Sequence, residues 1–193
     1  MRLFLLVRHG QSLFNVDSVV NGDPLLDRGL SEQGIEEAKQ LGAQLANLPL
    51  DLVAVSPFPR AIQTANVALA GRDVPHVEDD DLGDVRIGEL EGKTLAEYRA
   101  HPAHDDHTQR FPGGESLNEA AQRYAAAFER LLARPEATIL VVCHEIPVRY
   151  AVNAASGSDD LNGPLRLVAN AAPYLFDEAA LARAAERMRT LSV

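Results

Sequence analysis

Apolar runs alternate along this chain with segments in which apolar residues recur at helical spacing. Leu3–Val7 is apolar at every position, which is typical of a strand covered on both faces in a parallel sheet. A periodic segment follows, ends at Pro49 and predicts a helix, and a second apolar run, Leu52–Val55, predicts the next strand. The apolar positions of the two helical faces are Ile35, Ala38, Leu41, Leu45 and Leu48, then Ala61, Ala65 and Ala68. This alternation predicts an α/β fold.

The second half of the chain continues the alternation. Ser116 and Glu119 form a capping box, which predicts the start of a strongly amphipathic helix. Thr138–Cys143 predicts a third buried strand, and Leu165–Ala169 and Pro173–Phe176 predict strands at the margin of the sheet. The inner face of the amphipathic helix holds Leu117, Ala121, Tyr124, Phe128, Leu131 and Leu132.

Two segments, residues 79–92 and 100–114, lack periodicity and predict loops near a functional site. The acidic run Glu78–Asp81 predicts a solvated turn. No repeat, low-complexity tract or linker divides the sequence. Because 193 residues suit one full core better than two small ones, we expect a single domain over residues 1–193.

Three of the predicted strands end in cationic or imidazole side chains. Arg8 and His9 follow the first strand, Arg60 follows the second, and His144 follows the third. Parallel strands bring such groups to one edge of the sheet, where ligands of open α/β sheets bind. Two arginines and two imidazoles at one point suit a phosphate. A zinc site is a poorer interpretation, because zinc needs three or four protein ligands and arginine beside a cation is unfavourable.

Composition narrows the class of ligand. The formal net charge of -10 disfavours a nucleic acid or an anionic membrane as partner, so a small phosphorylated metabolite is expected. The lone cysteine, Cys143, cannot form an internal disulfide and is interpreted as a core residue. No apolar segment resembles a signal peptide or a membrane span, which predicts a cytoplasmic protein. The sequence does not determine the oligomeric state, and a homodimer is one of the alternatives.

Four ordered motifs resemble those of the histidine phosphatase superfamily, in the phosphatase branch of the phosphoglycerate mutase-like proteins. They lie at residues 8–15 (Arg8-His9-Gly10-Gln11-Ser12, then Asn15), at 56–65 around Arg60, at 112–116 (Pro-Gly-Gly-Glu-Ser) and at 141–144 ending in His144. The resemblance extends from residue 3 to about residue 176. It implies a three-layer α/β/α sandwich with a mostly parallel central sheet.

The resemblance also implies a role for each residue at the strand ends. His9 would be the nucleophile that forms a phosphohistidine, and Arg8, Arg60 and His144 would hold the phosphoryl oxygens. Ser12 and Asn15 would contact the substrate, Asn15 as a hydrogen-bond donor. No metal ion and no cofactor is implied. The arrangement is physically coherent, because phosphoryl transfer depends on positioning and on stabilising charge spread over three oxygens.

The family's proton donor is a glutamate, whereas the similar stretch of this chain places Asp84 at that position. Aspartate is one methylene shorter, and Glu89 and Glu91 are alternative donors. Glu145 stands where the family often has glycine, and is expected either to shape the rim of the pocket or to place a negative group beside the bound substrate. Asn21 and Gly22 are expected to contact the substrate. Specificity is assigned to residues 21–23 and 100–114.

Three functions fit these motifs. The first is hydrolysis of small phosphate monoesters by an enzyme of the histidine acid phosphatase type. The second is a cofactor-dependent phosphoglycerate mutase, which returns the phosphoryl group to a second hydroxyl. The third is a phosphate-binding module with weak catalysis, which the retained His9 argues against. A metal role is not assigned to His101, His104 and His107, because Pro102 interrupts a helix there and the segment is polar.

Overall fold

A five-stranded sheet forms the centre of the molecule in the computed structural model, which describes residues 2–191. The strands are β1 (Leu3–Arg8), β2 (Leu52–Val55), β3 (His76–Glu78), β4 (Thr138–Cys143) and β5 (Pro173–Asp177). The helices are α1 (Leu13–Asp17), α2 (Glu32–Leu45), α3 (Pro59–Ala68), α4 (Leu95–Ala100), α5 (Pro102–Asp105), α6 (Leu117–Leu132), α7 (Glu145–Ala155) and α8 (Glu178–Leu191). Short 3₁₀ turns cover Pro24–Leu26, Asp80–Leu82 and Gly88–Leu90.

The strands lie in the order β3-β2-β4-β1-β5. All neighbouring pairs are parallel except β1 and β5, which are antiparallel. In the central pair Arg8 lies opposite Cys143, so the next residues, His9 and His144, leave adjacent strands side by side. The carboxyl ends of β1, β2 and β4 therefore meet at one edge of the sheet.

Helices cover both faces of the sheet. Alternate residues of β1 point to opposite faces, as in any strand. Leu5 and Val7 pack with α2 and α3, whereas Phe4 and Leu6 pack with α6, α7 and α8. The predicted three-layer α/β/α sandwich with a mostly parallel sheet is confirmed. Within residues 2–191, no helix is both long and apolar enough to cross a bilayer.

The predicted helix starts follow local capping chemistry. α6 begins after Ser116, whose Oγ accepts from the Glu119 N–H at 3.1 Å while the Glu119 carboxylate accepts from the Ser116 N–H at 2.8 Å. The predicted capping box is confirmed. α2 ends at Leu45, before Pro49, and Leu48 packs half-buried beyond the helix end. β2 and β4 have the predicted bounds.

Some sequence predictions need correction. Leu165–Ala169 is not a strand, because side chains occupy its backbone groups: Asn153 binds the N–H and carbonyl of Leu165, and Arg8 binds the Val168 carbonyl. His76–Glu78 is a parallel edge strand that the polar sequence did not reveal, so Glu78 belongs to a strand and not to a turn. The predicted loop 100–114 contains α5, which Pro102 begins at the first helical position.

Candidate active site

The side chains at the strand ends converge on Arg60. Its Nε lies 3.0 Å from His9 Nε2, and its Nη2 lies 3.2 Å from His144 Nδ1. The two imidazole rings are 5.2 Å apart between centroids. The structure therefore brings Arg8, His9, Arg60 and His144 to one place, with Asp84 beside them. We call these five residues the phosphate end.

His9 is buried and held in one tautomer. Its Nδ1 lies 2.7 Å from the Gly10 carbonyl, which can only accept, so Nδ1 carries the proton. Nε2 then keeps its lone pair and accepts from Arg60 Nε–H. Burial, followed by the charges of Arg60 and Arg8, lowers the pKa of His9 well below its ordinary value. The ring is therefore neutral, with a nucleophilic nitrogen facing a cation.

His144 is completely buried at the amino end of α7. Its Nε2 lies 2.7 Å from Ser56 Oγ, and its Nδ1 accepts from Arg60. Burial, then the Arg60 charge, lowers its pKa well below the ordinary value. Because a hydroxyl both donates and accepts, Ser56 can hold either neutral tautomer of His144. This lets Nδ1 accept from Arg60 here and donate to a phosphoryl oxygen in a complex.

Arg60 is held by Asp27 and Phe58, to which the sequence assigned no role, and by Asn21, which was expected to contact the substrate. Asp27, whose side chain is fully buried, accepts from the Arg60 N–H at 3.0 Å and lies 3.3 Å from Nη1. Asn21 Oδ1 accepts from Nη1 at 2.6 Å, and the Asn21 carbonyl accepts from Nη2 at 3.2 Å. The Phe58 ring packs against the guanidinium of Arg60, with 4.4 Å between the ring centroid and Arg60 Cζ. Asp27 lies 33 residues from Arg60 in sequence, and the only signal for this partner was its acidic side chain.

Arg8 faces the cavity from the end of β1. Its Nη1 donates to the Val168 carbonyl at 2.8 Å and lies 2.9 Å from Glu145 Oε2. Its Nε is buried without a hydrogen-bond partner among the described residues. Glu145 also binds Arg149 at 3.1 Å. Glu145 therefore lies at the cavity wall, as predicted for the rim, and bridges two arginines.

Asp84 lies beside Arg60 and His144, two of the residues that would hold the phosphoryl group. Its Oδ2 is 2.9 Å from Arg60 Nη2 and 3.4 Å from His144 Nδ1, and its Oδ1 accepts from the Val85 N–H at 3.0 Å. The side chain keeps 26% of its accessible surface, so water and substrate reach it. The alternative donors are otherwise engaged: Glu91 binds Asn21 and Gly22, and Glu89 is exposed on a 3₁₀ turn.

The predicted substrate contacts divide into two groups. Ser12 caps α1 and accepts from the Asn15 N–H, while Asn15 Oδ1 accepts from the Ser12 N–H, so the Nδ2 group of Asn15 is the part left for a ligand. Both residues and Asn21 line the cavity. The Gly22 N–H instead donates to Glu91, and a Cβ at Gly22 would lie 2.2 Å from the Val85 carbonyl oxygen. Gly22 therefore serves close packing behind the cavity wall.

The cavity extends outward from the phosphate end and measures about 320 Å³. Its lining includes a set of apolar or aromatic side chains that we call the outer wall: Phe14, Val20, Leu95, Tyr98 and Ile146. Arg99, His104, Arg149 and Asn162 add polar groups. From the predicted specificity segments, only Asn21 and His104 are among the described lining residues. The wall comes mainly from α1, α4 and α7.

The remaining motifs lie outside this chemistry. His101 Nδ1 accepts from the Ala103 N–H, His104 lies beside Asp105, and His107 Nε2 is bonded to Asn162. Residues 2–191 contain no group of three or more His, Cys, Asp or Glu side chains arranged to hold a metal ion. Cys143 is buried in the core, where burial raises the pKa of its thiol to about 12.

Comparison with known proteins identifies the family of this chain. The sequence profile of the histidine phosphatase superfamily (branch 1) matches residues 4–187, and the chain belongs to this superfamily. It is 33% identical over 162 residues to 2,3-bisphosphoglycerate-dependent phosphoglycerate mutase 2 of Gloeobacter violaceus, covering 77% of this chain and 73% of that protein. It is 30% identical over 163 residues to phosphoserine phosphatase 1 of Hydrogenobacter thermophilus, covering 80% and 76%.

Solved structures show the same architecture. YhfR from Bacillus stearothermophilus superposes with a TM-score of 0.80 at 28% identity, covering 91% of this chain and 90% of that one. The family resemblance carried by the four motifs is thereby confirmed. The superfamily contains both phosphatases and mutases among the relatives of this chain.

Proposed function

We propose that this chain hydrolyses small phosphate monoesters through a phosphohistidine at His9, without a metal ion. The observation that carries the proposal is the neutral His9 ring, whose Nε2 lone pair faces Arg60 at 3.0 Å with the Asp84 carboxyl beside the same arginine. A binding site needs cations, but it does not need a buried nucleophile in a fixed tautomer.

In the first step, His9 Nε2 forms a bond to phosphorus as the bond from phosphorus to the ester oxygen breaks. Substrate binding exchanges the bond between Arg60 and His9 for one from Arg60 to a phosphoryl oxygen, which frees the lone pair. Arg8, Arg60 and the Nδ1–H tautomer of His144 stabilise the charge on the three equatorial oxygens. The leaving oxygen takes its proton from Asp84.

In the second step, the Asp84 carboxylate accepts a proton from water. The water oxygen forms a bond to phosphorus, the bond between phosphorus and Nε2 breaks, and its electron pair returns to His9. Inorganic phosphate leaves, and Asp84 is protonated for the next cycle. The partial exposure of Asp84 supports both duties, because the carboxyl must meet a leaving alcohol and then water.

The outer wall supports a leaving group that carries apolar surface, such as a ring, over a small and highly anionic one. Phe14, Leu95 and Tyr98 offer aliphatic and aromatic contact. Glu145 neutralises part of the charge of Arg8 and Arg149, which leaves less positive field for a second acidic group on the substrate.

The finer assignment to an acid-phosphatase type is also part of the proposal. The step that breaks the ester needs a proton for a basic leaving oxygen, which the Asp84 carboxyl delivers. His9 stays neutral in mild acid because its pKa is lowered. We therefore propose that turnover of esters of basic alcohols increases from neutral to mildly acid pH, which a pH profile of kcat/KM measures directly.

A cytoplasmic location, consistent with the free thiol of Cys143, is proposed as well and is tested by cell fractionation.

Phosphate release from 4-nitrophenyl phosphate, compared with the His9→Ala variant from about pH 5 to pH 8, tests the reaction. We expect activity that vanadate inhibits and EDTA does not change. Alkaline quenching should trap an acid-labile phosphoryl adduct whose position, by mass spectrometry, is His9. Activity equal to that of His9→Ala would contradict the proposal, and tight phosphate binding without turnover would identify a binding module.

A phosphoglycerate mutase is the second candidate, favoured by the relative of that name that is 33% identical. A coupled assay for interconversion of 3- and 2-phosphoglycerate, run beside phosphate release, separates the two. We expect phosphate release to dominate, because the apolar outer wall suits a ring-bearing leaving group better than an anionic phosphoglycerate. Interconversion that exceeds hydrolysis would reverse the assignment.

A further inference from the structure

Arg123 of α6 binds the loop that carries Asp84. Its Nη1 donates to the carbonyl oxygens of Asp81 at 2.8 Å and Gly83 at 3.0 Å, and its Nη2 donates to the carbonyl of Asp84 at 3.1 Å. Nε and Nη2 also bind the two carboxylate oxygens of Glu115. All five N–H groups of the guanidinium are thus engaged. Arg123 itself is not among the described residues that line the cavity.

Glu115 holds the other side of the same loop. Its Oε1 accepts from the Arg86 N–H at 3.0 Å, and its own N–H donates to the Arg86 carbonyl at 2.8 Å. A Cβ at Gly114 would lie 2.1 Å from that carbonyl oxygen, so glycine is required for this approach. Together, Arg123 and Glu115 bind the backbone on both sides of Asp84.

Both side chains are almost completely buried, with 8% of Arg123 and 7% of Glu115 exposed. A buried ion pair adds little net stability, because desolvation costs about as much as the attraction returns. Stability alone therefore gives a weak reason for placing this pair in the interior. Its position against the Asp84 loop suggests that its contribution is geometric.

Aspartate makes the position of the loop matter more. Asp84 lies between a 3₁₀ turn and the next segment, outside any helix or strand, so intrinsic secondary structure does not fix its backbone. Its side chain is one methylene shorter than glutamate. A small displacement of the backbone is then passed directly to the carboxyl, which must reach the leaving oxygen.

We propose that Arg123 and Glu115 are positioning residues that hold the Asp84 carboxyl where it can protonate the leaving oxygen. This inference rests on the proposed function. A positioning role and a purely structural role predict different effects of the leaving group. An ester whose alcohol is basic needs the proton from Asp84, whereas 4-nitrophenolate leaves with little need of a proton. Loss of positioning should therefore slow the first ester more than the second.

The test compares kcat/KM for 2-phenylethyl phosphate, which releases a basic aliphatic alcohol, with kcat/KM for 4-nitrophenyl phosphate. Asp84→Asn is the reference, and we expect a loss of about 100-fold on the phenylethyl ester and a far smaller loss on the nitrophenyl ester. Arg123→Lys keeps the charge but cannot bind three carbonyls and Glu115 together. We expect a loss of about 10-fold on the phenylethyl ester and little change on the other.

Arg130→Lys is the matched control. Arg130 lies on the same helix and pairs with the side chains of Asp79 and Asp81, but it is half exposed and binds carboxylates instead of the loop backbone. Its variant should keep the wild-type ratio of the two substrates. If Arg123→Lys shows no cooperative unfolding transition, and so is not folded, Glu115→Gln replaces it. We expect this variant to lose less kcat/KM on the phenylethyl ester, again with little change on the nitrophenyl ester.

Each outcome decides the matter. Equal losses on both esters in Arg123→Lys and Glu115→Gln would overturn the inference and leave Asp84 as proton donor. Loss of selectivity in Asp84→Asn itself, with equal effects on both esters, would overturn the donor assignment and the inference with it. A selective loss in the Asp84, Arg123 and Glu115 variants, absent in Arg130→Lys, supports it.

Discussion

The phosphate end and the outer wall of the same cavity are built in opposite ways. At the phosphate end, His9, Arg60 and His144 keep 3%, 3% and 0% of their accessible surface. His9 and His144 follow directly on β1 and β4, and Arg60 lies in the first turn of α3, after β2. In the outer wall, Phe14, Val20 and Leu95 are only half-buried and come from short helices or the segments beside them.

The difference separates chemistry from selectivity. Groups at strand ends are held by the sheet and by buried partners, so their relative positions tolerate little change. The outer wall comes mostly from short helices and the segments beside them, which the sheet does not position, so its shape can change without disturbing the reacting atoms. Substitutions in the two regions should accordingly have different kinetic effects.

The largest effect is expected for His9→Ala. The variant lacks the only nitrogen placed to accept phosphorus in the proposed reaction, so kcat on 4-nitrophenyl phosphate should fall by about 10⁴-fold or more. His76→Ala, an exposed histidine of β3, is the control and should retain wild-type turnover. A His9→Ala enzyme within about 10-fold of the wild type would contradict the nucleophile assignment.

Arg60→Lys comes next, with an expected loss of about 100-fold in kcat/KM for every ester tested. Lysine keeps a charge near Asp27 but lacks the planar fork that reaches His9, Asn21 and His144 together. Arg72→Lys provides the control, since Arg72 binds the carbonyls of Leu45 and Leu48, outside the cavity. If Arg60→Lys affects bulky esters only, Arg60 belongs functionally to the outer wall.

Phe14→Ala should act on selectivity. We expect about a 10-fold loss of kcat/KM for ring-bearing esters and about a twofold loss for glycerol 2-phosphate, because removing the ring costs about 1–3 kcal/mol of apolar contact. Leu25→Ala, at a residue 90% exposed, should change neither. Equal losses on both substrates would remove the proposed distinction between the two regions.

Lowering the pH should lower the free energy of unfolding through His144, at the phosphate end. The pKa of buried His144 is lowered in the folded chain, whereas the unfolded chain titrates near 6.5. Below that pH the unfolded state binds a proton that the folded state does not, so stability falls as pH falls. Urea unfolding at about pH 6.5 and 5.5 should show wild type losing about 1 kcal/mol more than His144→Gln. An equal loss of unfolding free energy in the two proteins would contradict the lowered pKa of His144.

The smallest effect is expected at the boundary between the two regions. Glu145→Gln removes a carboxylate 2.9 Å from Arg8, so inorganic phosphate should inhibit about threefold more strongly at unchanged kcat. Glu178→Gln, which alters an exposed pair with Arg2, is the control. Weaker inhibition would mean that Glu145 orients Arg8 and does not compete with the phosphate.

The sequence predicted the phosphate end better than the rest of the cavity. Continuous apolar runs define buried strands, and the residue that follows such a run is placed by the sheet, which is why His9 and His144 could be found. Arg60 lies in the first turn of the helix that follows β2, at the same edge of the sheet. Asp27 and Arg123 could not, because their partners lie far away in sequence and only packing brings them together. The outer wall escaped prediction because helices as short as α1 and α4 leave little periodicity.

The margin of the sheet was misjudged for a related reason. Leu165–Ala169 has the composition of a strand, but Asn153 and Arg8 take its backbone groups. Conversely, His76–Glu78 is polar at two of its three positions yet pairs with β2. Apolar content predicts burial well, whereas edge pairing depends on which backbone groups are left available.

The pairing of β1 with β4 sets the distance between the two histidines. Neighbouring strands lie about 4.8 Å apart in any sheet, close to the 5.2 Å between the imidazole centroids. That distance depends on no loop. A designer could therefore exchange residues 95–107 for a segment of another length and obtain new substrate preferences around an unaltered pair of histidines.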